Sequence, residues 1–199
     1  MSVFVKICGI RDEQTAAAAV AAGADAIGFV FADSVRRVTP DQARAAADSV
    51  PDHVQRVAVM RHPSREEWQS VLDGFDPDVL QTDAGDFAAI DVPDSVVRWP
   101  VLRESNVQLD VALPEVFVYE GADSGTGRTV DWSRAAGLAV SGRMILAGGL
   151  TPGNVGEAIA AVRPWGVDVS SGVESAPGQK DEELIRDFIG AVRAAESDA

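Results

Sequence analysis

Lysine is almost missing from this chain of 199 residues: only Lys6 and Lys180 carry it, so arginine supplies 15 of the 17 basic side chains. Against them stand 20 aspartates and 11 glutamates, and the net charge is -14. A surface this acidic repels nucleic acid and anionic membranes, so neither is expected as a partner, and it needs dense counterion screening to offset its self-repulsion. Cysteine is scarcer still. Cys8 stands alone, which excludes an intramolecular disulfide framework. No apolar run approaches the ~20 residues that span a bilayer, and the N-terminus lacks the charged-then-apolar pattern of an export signal. A cytoplasmic location is therefore expected. No stretch rich in Pro, Gly and Ser divides the chain, so residues 1–199 are expected to form one domain.

What the chain does have is regular alternation. Val3 to Gly9 is a short, β-branched, apolar run ending at Cys8, followed by Asp12 as a helix N-cap and by strong helix formers from Glu13 to Ala22, with Gly23 to close them. The pattern repeats. Further strands are read at Ala26 to Phe31, Gln55 to Met60, Asp78 to Gln81, Ser95 to Val101, Val116 to Tyr119, Arg143 to Ala147 and Gly166 to Val169. Helices are read after Thr39-Pro40, after the Ser64/Glu67 capping box, near Ser133 to Val140, from Thr151-Pro152, and from Asp181 to Ala194. Leu102 to Pro114 leaves room for only a short helix or a bare loop. Eight units in 199 residues give about 25 residues each, which predicts an α/β fold: a compact eight-stranded parallel (βα)8 TIM barrel with a shortened fifth unit. A doubly wound open sheet is the runner-up, and it normally has fewer strands.

In such barrels, ligands meet the carboxyl ends of the strands. Three constellations fall there. The first is glycine-rich: Ala147-Gly148-Gly149 after the seventh strand, Ser170-Ser171-Gly172-Val173-Glu174 after the eighth, and Gly125-Thr126-Gly127 after the sixth. Backbone N–H groups of loops like these cradle phosphate, and they do so without lysine. The ligand should then be a small sugar phosphate. The second is an acid/base pair, Cys8 on the first strand and Glu120 on the sixth, across the ring from one another. Lys6, on the same strand face as Cys8, would lower the thiol pKa or else be a buried charge satisfied by an acidic neighbour such as Asp168. Cys8 itself could equally be a small core hydrophobe. The third is Arg36 and Arg37, in the loop after the second strand, where an arginine can fork onto a carboxylate.

These residues, together with Gly23 to Phe31, Asp131-Trp132, Leu146 to Pro152 and Val167 to Glu174, give the chain an overall resemblance to the phosphoribosylanthranilate isomerases of tryptophan biosynthesis. The resemblance implies an Amadori rearrangement of N-(5-phosphoribosyl)anthranilate on a (βα)8 barrel, with no cofactor and no metal. It makes Cys8 the base and Arg36 the anchor of the anthranilate carboxylate, and it gives the phosphate to Gly127, Gly148, Gly149, Ser171 and Gly172. Lys6, Asp168 and Ser170 complete the expected lining of the substrate site. The family's general acid is an aspartate, and here Glu120 stands in its place, one methylene longer, with Asp123 as the fallback. Met60-Arg61 and Gln81-Thr82-Asp83 depart from the asparagine and histidine usual in the family. The acidic, lysine-poor surface resembles the proteins of salt-accumulating halophiles. The protein is expected to be a monomer or a homodimer.

Two related phosphate barrels fit less well. The histidine-pathway isomerase has an aspartate where Cys8 stands, and indoleglycerol-phosphate synthase relies on barrel lysines, of which Lys6 is the only candidate. A catalytically silent sugar-phosphate-binding barrel is the alternative of a different class. It has no chemical need for Cys8, Arg36 and the phosphate loops together.

Overall fold

The same local chemistry recurs along the chain, and so does the same structural unit. The computed structural model describes residues 2–105, 113–121 and 128–197. In its first unit, strand β1 (Phe4–Cys8) passes through Gly9 into helix α1 (Glu13–Ala22), where the Asp12 carboxylate accepts the N–H of Thr15. Gly23 ends α1 in the left-handed region (φ 98°), a backbone conformation that costs a residue with a Cβ. The following units are β2 (Ala26–Val30), α2 (Pro40–Ala46), β3 (Gln55–Val59), α3 (Arg65–Phe75), β4 (Val79–Asp83) and β5 (Val97–Arg103). Thr39 and Ser64 cap α2 and α3 through reciprocal capping boxes with Gln42 and Glu67, as the sequence indicates. The chain continues with β6 (Val116–Glu120), α4 (Trp132–Ala139), β7 (Arg143–Leu146), α5 (Val155–Val162), β8 (Gly166–Val169), a small hairpin of β9 (Glu174–Ala176) and β10 (Gln179–Lys180), and α6 (Glu182–Ser197).

Strands β1 to β8 close into a parallel barrel in chain order, with β1 bonded to both β2 and β8. Alternation along each strand separates two apolar sets. Ala26, Val57, Val79, Trp99, Val118 and Ile145 pack with one another inside the ring. Ile27, Phe29, Ala58, Leu80, Phe117 and Val167 belong to the larger core shared with the helices. Phe4 stacks on Trp165 at 4.6 Å and meets Trp99 edge-on at 5.7 Å, which fills the end of the barrel where the strands begin. Among the described residues, the interior is therefore closed at that end, and a cavity lies at the carboxyl ends.

Four features differ from the sequence reading. The connection from β4 to β5 holds a 3-10 turn, Ala84–Ala88, where regular alternation calls for a helix. Helix α5 begins three residues after Thr151-Pro152, because Asn154 ties this segment back as a turn: its Oδ1 accepts the Thr151 N–H and its Nδ2 donates to the Gly149 carbonyl. Strands β4 and β5 each run two residues further, to Asp83 and Arg103, whose side chains pair at 2.7 Å across the extended ladder. The β9–β10 hairpin, with Gly178 at its turn, has no counterpart in the sequence reading. Residues 106–112 of the expected short fifth unit, together with Gly125, Thr126, Gly127 and Asp123, lie outside the described residues.

Candidate active site

Lys6 and Cys8 share the inner face of β1, and Asp168 of β8 is the register neighbour of Lys6. The Lys6 ammonium donates to Asp168 Oδ1 at 2.9 Å, and the ammonium is fully buried. Burial works against that charge, but Asp168 and then Cys8 more than offset it, and the lysine pKa lies above its ordinary value. Room for the group comes from β2. Gly28 pairs with Cys8, and a Cβ there would sit 3.1 Å from both Cys8 Sγ and Lys6 Nζ. The thiol does not follow the expectation drawn from Lys6 alone. Burial pushes its pKa up and the Asp168 carboxylate adds to the rise, Lys6 and Lys180 pull it down by less, and the net direction is upward. Desolvating a thiolate outweighs a lysine whose charge is already shared with Asp168.

Across the mouth, β6 ends at Glu120. Its Oε2 lies 3.6 Å from Arg103 Nη1, while Arg103 Nε donates to Asp83 Oδ1 at 2.7 Å. Cys8 and Glu120 line the same cavity, together with Arg36, Gly148, Gly149 and Ser171. Asp168 and Ser170 line it as well. The structure thus brings the expected acid/base pair and two of the three glycine loops to one space.

The guanidinium of Arg36 is held by Glu174, with Nε and Nη2 donating to the two carboxylate oxygens at 2.7 and 2.8 Å. Lys180 donates to the same carboxylate at 2.7 Å and to the Ser170 carbonyl at 2.9 Å. Gly178 adds a backbone N–H at 3.1 Å. Burial pushes the Glu174 pKa up, but Arg36 and Lys180 push it down further, to about 2. Burial lowers the Lys180 pKa.

The glycines after β7 and β8 are sterically required. Gly149 is at φ 64°, and a Cβ there would lie 2.5 Å from the Thr129 nitrogen. A Cβ on Gly172 would collide with the Leu150 carbonyl. Gly172 itself does not line the cavity; it lets the loop carrying Ser170 and Ser171 press against the loop after β7. Arg128, next to Gly127, does line it and places a cation beside these loops. Sequence reasoning missed Arg128, Arg103, Lys180 and Glu174 as contributors to the site; the conspicuous scarcity of lysine was the one available signal for Lys180. Met60, Arg61 and Gln81 also line the cavity. Among the described residues, His62, Asp83 and Asp86 approach one another closely enough to hold a metal ion, but Arg103 and Arg61 already stand against Asp83.

Residues 5–191 match the family model described as N-(5'phosphoribosyl)anthranilate (PRA) isomerase. A curated relative of that name from Desulforamulus reducens is 42% identical over 200 residues, covering 96% of this chain and 95% of its own length. Among solved structures, the phosphoribosyl anthranilate isomerase from Thermus thermophilus superposes with a TM-score of 0.82 at 30% identity, covering 96% of this chain and 99% of that one. A phosphoribosyl anthranilate isomerase in complex with reduced 1-(o-carboxyphenylamino)-1-deoxyribulose 5-phosphate gives a TM-score of 0.77 at 31% identity, covering 96% of this chain and 99% of that one.

Proposed function

The chain belongs to the phosphoribosylanthranilate isomerase family, and from that premise we propose how its residues divide the work. The activity is the Amadori rearrangement of N-(5-phosphoribosyl)anthranilate to 1-(2-carboxyphenylamino)-1-deoxyribulose 5-phosphate in tryptophan biosynthesis. Glu120, in its acid form, protonates the ribose ring oxygen as the C1′–O bond breaks. The lone pair of the anilinic nitrogen forms the C1′=N bond of a protonated Schiff base. Cys8, as thiolate, takes the proton from C2′, and the electrons of that C–H bond form C1′=C2′ while the C=N pair returns to nitrogen. The enolamine then gains a proton at C1′ as its C2′ hydroxyl becomes the ketone.

The observation that carries this reading is that Cys8 and Glu120 face one cavity from β1 and β6, with the loops after β7 and β8 at its rim. Lys6 and Lys180 offset part of the burial that holds the thiol protonated, and so reduce the cost of forming the thiolate. Gly148, Gly149, Ser170 and Ser171 would meet the phosphate together with Gly127 of the loop after β6, with Gly172 letting the last two loops pack and Arg128 adding charge. Arg36, fixed by Glu174, would meet the anthranilate carboxylate, and Asp168, fixed by Lys6, a sugar hydroxyl. We further propose a single domain, a cytoplasmic location, and a salt-adapted surface; the dimeric isomerase from Thermotoga maritima makes a homodimer as reasonable a state as a monomer.

The test is turnover of phosphoribosylanthranilate, followed by loss of its fluorescence in molar potassium chloride. Wild type should turn over, while Cys8→Ser and Glu120→Gln should each lose at least about 100-fold in kcat with the fold intact. Activity retained in Glu120→Gln moves the acid to Asp123. An inert wild type that still binds substrate establishes the silent barrel instead.

A further inference from the structure

Gln81 is the one side chain lining the cavity whose buried polar atom lacks a partner among the described residues. It sits on β4, is 4% exposed, and its Oε1 is sealed from water without a hydrogen bond. Buried amides are nearly always hydrogen-bonded, because stripping water from an amide and replacing it with nothing is costly. The mechanism above does not use this residue. An amide held unsatisfied in a ligand cavity is a contact waiting for the ligand.

The topology says which part of the ligand it would meet. The phosphate loops follow β7 and β8, and the two groups that act on C2′ and the ring oxygen sit on β1 and β6. A substrate anchored by its phosphate at β7–β8 and reacting between Cys8 and Glu120 extends its aromatic end toward β3 to β5. On that side Val59, Met60 and Val101 line the cavity, with Arg61 and Arg103 also lining it and held against Asp83, and Gln81 is paired in register with Val59 and Trp99. The polar atom linking the aromatic ring to C1′ is the anilinic nitrogen. It carries one hydrogen throughout, and it bears a positive charge only after the ring opens.

We propose that Gln81 is a catalytic residue for this reaction: its amide oxygen accepts the N–H of the anilinic nitrogen and stabilises the protonated Schiff base. No proton or electron pair moves to Gln81; the nitrogen keeps its hydrogen, and the ring oxygen still receives its proton from the acid on β6. A neutral acceptor suits the task. A carboxylate at this depth would take the proton and trap it, whereas an amide does not titrate. Away from water, a fixed dipole aimed at developing charge is worth more than in bulk solvent. Rotation of the terminal amide by half a turn exchanges oxygen and nitrogen, so either end can be presented when substrate enters.

The inference rests on the isomerase reading, and the experiment separates the two. Gln81→Met keeps the volume and removes the acceptor; Gln81→Leu is a second apolar variant in case the first packs poorly. Each is measured for kcat and KM, thermal midpoint, and affinity for the reduced product, whose nitrogen stays a neutral amine. Expected is a fall in kcat of roughly 10- to 100-fold, the usual worth of a hydrogen bond to a charged group. Binding of the reduced product should weaken less than about tenfold, as for a neutral hydrogen bond. The thermal midpoint should hold or rise, since an unsatisfied polar group has been removed from the interior. A purely structural glutamine gives the reverse: a lowered midpoint, with kcat and reduced-product affinity falling together. That pattern, or an unchanged kcat in both variants, overturns the proposal. An inert wild type overturns the isomerase reading and this inference with it.

Discussion

Replacing Glu174 by glutamine separates acid stability from stability at neutral pH, and its size follows from the site. The carboxylate is 4% exposed, and it accepts Arg36 Nε at 2.7 Å, Arg36 Nη2 at 2.8 Å, Lys180 at 2.7 Å and the Gly178 N–H at 3.1 Å. Burial raises its pKa, but Arg36 and Lys180 lower it more, to about 2 from an ordinary 4.5. A gap of about 2.5 pH units, at ~1.4 kcal/mol each, is on the order of 3 kcal/mol. A carboxylate whose folded pKa lies below its unfolded one lends this stability above the unfolded value and loses it as pH falls through the folded value. The contribution is therefore complete above pH 4.5 and gone near pH 2. Urea unfolding of wild type and Glu174→Gln at constant ionic strength should show a difference of about 3 to 5 kcal/mol at pH 7, since the variant also leaves two buried cations without their acid. The difference should shrink steadily between pH 4.5 and 2. Other carboxylates titrate in both proteins and cancel. A difference that stays constant across this range would refute the assignment of the shift to Glu174. In the enzyme assay the same variant should raise KM more than it lowers kcat, because Arg36 loses its clamp.

Two further outcomes are expected. Alkylation of Cys8 by iodoacetamide in the empty enzyme should accelerate through a pH above the ordinary thiol range, because burial holds the thiol protonated. Lys6→Met should move that profile higher still, and a profile centred on the ordinary thiol value in wild type would contradict the burial argument. The thermal midpoint should climb with potassium chloride from low to molar concentration, as the screening length falls from about 30 Å at 0.01 M to about 3 Å at 1 M and the net charge of -14 ceases to repel itself. A midpoint indifferent to salt would show that the acidic residues are spread too sparsely to matter.

Strand and helix identity was legible because it is local: Asp12, Thr39 and Ser64 cap the helices where the sequence places them. Ring closure followed from counting eight units. The positions of Cys8, Glu120 and the loops at Gly148 and Ser171 followed from where their strands end. What stayed hidden depends on contacts between distant segments. Nothing near Arg36 announces that Glu174, 138 residues later, will hold it in a two-pronged bond. Asp83 and Arg103 look like the ends of strands already finished; the ladder pairing of Asp83 with Val101 and of Arg103 with Glu120 extends both, and their side chains then meet. The thiol pKa was misjudged for the same reason. Lys6 is visible two residues before Cys8, but the desolvation that outweighs it is a property of the closed barrel.

The interlocked glycine loops bear on how such a barrel can be rebuilt. Gly149 sits against Arg128 and Thr129, and Gly172 against Leu150 and Thr151. Arg128 and Thr129 before α4 and the loops after β7 and β8 are therefore stacked, with Gly149 and Gly172 each leaving room for the backbone of the segment before it. Grafting one of them alone onto another barrel would carry a key without its lock. Exchanged together, the last three strands and their loops would travel as a portable three-eighths of the ring that carries anion recognition, leaving β1 to β5 free to be redesigned around a different aromatic or sugar.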